Sequence, residues 1–340
     1  MARFVRFLLS VLLGVVIGSA VNMGLVMLGG KVVPPPPGVD VTTTAGLKAS
    51  MHLLDIRHFM FPFLAHALGT LAGATADALN AAHNDSTSVP APTQLTGRDT
   101  GLVDTDALSF LGKANIGITD SSGTLIHTIQ LDFTAGAYSL DGGPQVSYGG
   151  IGATVSQFVA GLNAALGGQG VASFANGSLS ITGSGGNGLV VQQDASEPST
   201  RAGRGFGQFF GLNDLITRDQ PIFFETGFTG ADAHNLAPGG AVGIQVTDAS
   251  GRVVLTRSVG VTGTTWSDMA DALNASGTGL GGYGSFNFDS SGRLIATANA
   301  GYSIQVTGDT TVRGDTSLSM AEIFGLDRHA SAGRASELSV

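Results

Sequence analysis

From about residue 114 onward the chain states one pattern twice, and that repetition limits the fold more than any other feature. Ala114-Asn115-Ile116-Gly117-Ile118-Thr119 alternates small or polar with apolar residues, turns at Asp120-Ser121-Ser122-Gly123 and resumes from Thr124 to Phe133. Val242 to Thr247, the turn Asp248-Ala249-Ser250-Gly251 and the run Arg252 to Val259 repeat it. Period-2 alternation on either side of an Asp/Gly turn predicts a β-hairpin in each copy. An amphipathic helix with a Thr cap follows each hairpin, Thr154 to Leu166 and Thr265 to Ala275, and both carry Leu-Asn-Ala near their ends.

Further strands follow in both copies. Val171 to Ile181, turning at Asn176-Gly177, matches Ser285 to Thr297, turning at Asp289-Ser290-Ser291-Gly292. Leu189-Val190-Val191 and Ile304-Gln305-Val306 come next, and both copies close on Phe-Gly-Leu, at Phe210-Gly211-Leu212 and Phe324-Gly325-Leu326. A unit of roughly 100 residues with short strands, tight turns and one small helix predicts an α+β fold, mainly β, built as two related modules. Their expected bounds are 95–230 and 231–330, with a helix stub and linker at 74–94 and a tail at 331–340.

The composition fits such a chain: 52 glycines and only 12% charged residues favour turns and short strands over charge-studded helices. A net charge of −9 supplies no basic face for phosphate backbones, so nucleic acid is not an expected partner. With no cysteine, disulfides, thiolate catalysis and Cys-ligated zinc are all excluded.

Several segments spell fragments of active-site motifs. Gly183-Ser184-Gly185-Gly186-Asn187-Gly188 has the GxGxxG spacing, but a strand follows it where a dinucleotide site needs a helix. The Asp-x-Ser-Gly turns at Asp120, Asp248 and Asp289 lack the further oxygen ligands of a calcium loop, whereas an Asp bonding its own turn accounts for them. His127 falls in a predicted strand, His234 in a loop and His329 in the tail, none with a carboxylate implied by spacing. His52, His58 and His66 share no helical face, so no metal site is expected from them. The sequence therefore predicts no catalytic, cofactor-binding or metal residues, and no enzyme. Phe206, Phe209, Phe210 and Leu212 are candidates for a sticky subunit contact, with core packing against a sheet as the other reading.

The N-terminal 73 residues differ in kind. Arg3 and Arg6 precede an apolar run from Phe7 to Leu28, long enough to span a bilayer, and a Pro34–Pro37 stop follows. A second apolar stretch from Phe59 to Gly73 meets Asp77, Asn80, His83 and Asn84 before a full span is reached, giving one or two expected transmembrane helices. Pro34 to Gly73, with His58-Phe59-Met60-Phe61-Pro62-Phe63, resembles a family of small bacterial multi-span membrane proteins. Inner-membrane insertion through residues 7–28 is the expectation for this part.

The remainder resembles a different family. Ala76-Asp77-Ala78-Leu79-Asn80-Ala81-Ala82-His83-Asn84, Gly205-Phe206-Gly207-Gln208-Phe209-Phe210-Gly211-Leu212-Asn213-Asp214-Leu215-Ile216 and Met320-Ala321-Glu322-Ile323-Phe324-Gly325-Leu326-Asp327 are similar to the middle and later part of the first hook-associated protein of the bacterial flagellum, in its alphaproteobacterial form. That resemblance, over residues 74–340, implies a secreted, non-catalytic building block between hook and filament. The implied partners are the hook protein, the second junction protein and further copies of the chain. The family's long terminal assembly helices have no counterpart here, so the resemblance implies an outer-domain segment, truncated or chimeric. Two other readings stand beside it: an adhesin-like binding module held outside the cell by the N-terminal anchor, and a multi-span membrane protein with an irrelevant extension.

Overall fold

A computed structural model describes residues 56–218, 221–327 and 338–339. The expected span at residues 7–28 and His52 lie outside the described residues, as does His329. Strand outweighs helix, 34% to 22%, so the fold is α+β and mainly β.

The chain enters through helix α1 (Ile56–Asn84), which carries the helix expected at 74–84 back across the Pro-rich-linker boundary. Alanine and leucine dominate it, and their low cost in a helix explains its length. Its buried positions are small or polar: Gly69, Gly73, Ala76, Asn80 and Asn84, spaced three or four apart. The second apolar stretch, interrupted by Asp77, Asn80, His83 and Asn84, lies in this helix, and no helix among the described residues is long and apolar enough to cross a membrane. The face that α1 buries docks by hydrogen bonds instead.

Next come β1 (Gln94–Thr96), β2 (Lys113–Thr119), β3 (Leu125–Asp132), β4 (Ala137–Leu140) and β5 (Val146–Ser147), then helix α2 (Val155–Leu166). The hairpin β6 (Gly170–Ala175) and β7 (Ser178–Gly183) follows, then β8 (Gly188–Gln193) and the short helix α3 (Phe206–Phe210). Two sheets result, one ordered β5-β4-β3-β2-β8 and one ordered β1-β7-β6.

The same succession then recurs. Hairpin β9 (Ala241–Asp248) and β10 (Val253–Gly260) leads to helix α4 (Trp266–Asn274), hairpin β11 (Gly284–Phe288) and β12 (Leu294–Ala298), return strand β13 (Tyr302–Asp309) and short helix α5 (Met320–Phe324). β13 pairs antiparallel with β9 as β8 pairs with β2. Even the irregularity is shared: a bulge puts Ile118 opposite His127 and Thr119 opposite Leu125, and another puts Val246 opposite Leu255 and Thr247 opposite Val253.

Local chemistry fixes both helices in the same way. Thr154 caps α2 in a reciprocal box with Gln157, and Thr265 caps α4 with Asp268. Asn163 on α2 bonds both the carbonyl and the amide of Ala172 at 2.8 Å, clamping helix to strand. Asn274 on α4 bonds the carbonyl of Phe286 at 2.9 Å and its amide at 2.7 Å. The Asn of each Leu-Asn-Ala thus ties its helix to the following hairpin.

The turns follow the same economy. Oδ1 of Asp120 accepts from Ser122 N, Ser122 Oγ and Thr124 N. Asp248 repeats this with Ser250 and Arg252, and Asp289 with Ser291 and Arg293. These bonds hold the carboxyls of Asp120, Asp248 and Asp289 below their usual range, led by the Ser hydroxyl at the first two, whereas at Asp289 partial burial opposes the lowering most strongly. Buried side chains from both successions belong to one continuous apolar cluster, and residues 64–340 form one compact unit.

Candidate functional site

Two arginines, 112 positions apart in the chain, converge on one phenylalanine. Arg201 and Arg313 occupy equivalent places ahead of the closing helices. Ser199 Oγ accepts from the first amide of α3, at Phe206, and Thr311 Oγ1 accepts from the first amide of α5, at Met320. Two residues on from each of these hydroxyls stands the arginine. The Arg201 guanidinium lies 5.5 Å from the Phe228 ring centroid and that of Arg313 lies 4.6 Å from it. Burying two cations beside a ring is costly unless every donor is satisfied.

The satisfaction is by main chain and one carboxylate. Arg201 donates to the carbonyls of Thr226, Ala107 and Leu108. With no carboxylate in hydrogen-bond contact, desolvation brings its pKa down to about 10. Arg313, fully buried, forms a two-point pair with Asp106 at 2.8 Å on both arms and donates to the carbonyls of Gly101, Ala233 and His234. Asp106 in turn accepts from Val103 N and Asn235 Nδ2. Arg313 therefore reaches across more than 200 positions to hold the segment before β2 against the segment before β9.

A second polar seam ties α1 to the loop after α3. Asn80 accepts from the amides of Leu215 and Ile216 and donates to the carbonyl of Ile216. Asn84 accepts from Asn213 N and donates to Asp214. Asp77 pairs with Arg204 at 2.6 Å, and Arg204 lies 3.6 Å over the Phe223 ring. Arg98 closes the seam on Asp214 at 2.9 Å. A cleft of about 290 Å³ opens beside it, lined by His66, Asp77, Phe223, Glu225 and Arg293 among others. Its charged groups are committed to each other: Arg204 also meets Glu225 at 3.0 Å, and Arg293 meets Glu225 at 3.4 Å.

The residues singled out from the sequence fall as follows. Phe206, Phe209, Phe210 and Leu212 are 0%, 1%, 0% and 3% exposed and pack in the core: Phe206 and Phe209 meet Phe110 edge-to-face, Phe210 stacks on it, and Phe133 lies tilted against Phe206. Gly183 to Gly188 makes a short 3₁₀ turn between β7 and β8, with Gly185 at φ 65°. His234 is buried, accepting from Leu236 N, and its ring lies 6.0 Å from that of Trp266. His66 is exposed. His127 departs from expectation: Asp141 Oδ2 sits 2.8 Å from its Nδ1, brought there by β4 pairing alongside β3. Among the described residues no group of three or more His, Cys, Asp or Glu could hold a metal ion.

Sequence reasoning missed Arg201, Arg313 and Asp106. One signal was present, since each arginine stands at the same offset from a Ser/Thr in a chain with only 16 basic residues. The arrangement joins elements and shields cations; the donors it gathers end on backbone carbonyls and the Asp106 carboxylate. No protein-family model and no curated protein matches the chain.

Proposed function

We propose that residues 74–340 are a structural segment of the bacterial flagellum, an outer-domain portion of a hook-filament junction protein of the hook-associated kind, made of two copies of one α+β scaffold. Its task is shape and spacing outside the cell, and catalysis has no part in it. The carrying observation is the twofold use of one device set: capped helix, Asn clamp, bulged hairpin, return strand, and buried arginine before the closing helix.

Two of the three resemblance-bearing segments lend support by meeting in space. Asp77, Asn80 and Asn84 of the first contact Arg204 and residues 213–216 in and around the second, while the third supplies α5 and its left-handed cap at Gly325 (φ 64°). A docked seam suits a load-transmitting block, because strain applied at α1 reaches the β-sheets through it.

Deleting the gene in its source bacterium tests this. The expected phenotype is hooks without filaments in electron micrographs of isolated hook–basal bodies, restored by the intact gene. Normal filaments and motility in the deletion strain overturn the proposal.

A further inference from the structure

The two halves differ at one sheet edge. In the first, β3 is covered along its outer side by β4, which pairs Ile129 with Leu140, Gln130 with Ser139 and Leu131 with Tyr138. Asp141 extends that cover, donating its amide to Thr128 O and accepting from Thr128 N, both at 2.8 Å. In the second half β10 is the terminal strand of the sheet β10-β9-β13, and no strand lies beyond it among the described residues.

The bulges set the equivalence residue by residue. Ile118 and Val246 each stand two positions before the turn Asp, so His127 corresponds to Leu255, Thr128 to Thr256, Ile129 to Arg257 and Gln130 to Ser258. Thr128 turns its amide and carbonyl outward to Asp141, and Thr256 turns its carbonyl outward in the same way, where Arg257 Nη1 reaches it at 3.2 Å. Alternation then aims the N–H and C=O of Ser258 outward too. Thr256, Arg257 and Ser258 are all exposed.

We propose that the outer edge of β10 receives an extended segment of a partner protein, running antiparallel and carrying a carboxylate opposite Arg257. The chemistry of the occupant follows from the substitution at one position. Ile129 pairs with Leu140 in the ladder and its side chain is fully buried in the core, whereas Arg257 holds the equivalent place as an exposed cation that meets no carboxylate among the described residues. An acidic side chain across the ladder neutralises it, and main-chain bonds to Thr256 and Ser258 supply the register. A second copy of β10 fits poorly, because the strand carries an arginine and no acidic residue of its own. This surface is independent of the flagellar assignment.

The test uses the full chain and a fluorescein-labelled peptide with the sequence of residues 136–147 carrying Leu140→Glu, which places a carboxylate in the required register. Fluorescence anisotropy is expected to give saturable binding, at least tenfold weaker with Arg257→Glu and regained by that variant with a Leu140→Lys peptide. Ser258→Pro removes an outward N–H that the sheet does not use, so it is expected to abolish binding while the thermal midpoint holds. Hydrogen exchange at Thr256 and Ser258 is expected to slow on binding. Absence of saturable binding, or binding indifferent to Arg257→Glu and Ser258→Pro, overturns the proposal. Concentration-dependent dimerisation lost in Ser258→Pro, without peptide binding, also overturns it by assigning the edge to a second copy.

Discussion

Asp99 shows what burial does to a single carboxyl in this fold. Desolvation raises its pKa to about 6, against a hydrogen bond from Gly101 N that favours the charged form. A raised folded pKa means that the native state holds more protons than the unfolded chain between pH 4 and 6. Stability therefore rises as the pH falls through 6 and levels near 4. Asp214, also raised by burial, acts in the same direction. The turn aspartates Asp120, Asp248 and Asp289 are lowered, and their contribution is lost only under more acid conditions. Asp99→Asn is thus expected to flatten the dependence of the unfolding midpoint between pH 4 and 6, removing on the order of 1 kcal/mol of the stability gained across that window after allowance for solvent screening. The chain's single tryptophan, Trp266, fully buried against Phe324, reports the midpoint by fluorescence. An unchanged slope in the variant contradicts the assignment.

At the scale of elements, the two Asn clamps make a matched experiment. Asn163 and Asn274 each join a helix to the next hairpin with one donated and one accepted bond, so Asn163→Ala and Asn274→Ala leave the same pair of backbone groups unsatisfied. Each is expected to cost about 2–3 kcal/mol in urea unfolding, and the two costs are expected to agree within about 1 kcal/mol. A large loss at one and none at the other breaks the equivalence. These elements were legible in the sequence because their signals are local: Thr caps, Leu-Asn-Ala ends, and Asp-x-Ser-Gly turns with glycines at φ 86° and 81° at Gly123 and Gly251. The extent of α1 was less so, since its apolar start suggested a bilayer and its docking depends on Asn80 and Asn84 finding residues more than 120 positions away. The His127–Asp141 pair escaped for the same reason, because the register of β4 on β3 creates it.

At the scale of the whole molecule, the halves are joined by groups that pattern cannot disclose. Nothing in the local sequence of Asp106 announces Arg313, and only the assembled core brings them to 2.8 Å. Removing one partner leaves a charge buried without compensation, so Asp106→Ala is expected to lose about 3–5 kcal/mol. Replacing both, as Asp106→Leu with Arg313→Met, is expected to recover a substantial part of that loss. A double variant no better than the single one shows that the hydrogen bonds of Asp106 to Val103 and Asn235 dominate instead.

Arg201, Arg313 and Phe228 join two like scaffolds into one compact body. Differential scanning calorimetry of the protein tests that union. One transition is expected for residues 64–340, with calorimetric and van't Hoff enthalpies in agreement. Two separate transitions in the unaltered protein, each with its own enthalpy, contradict it.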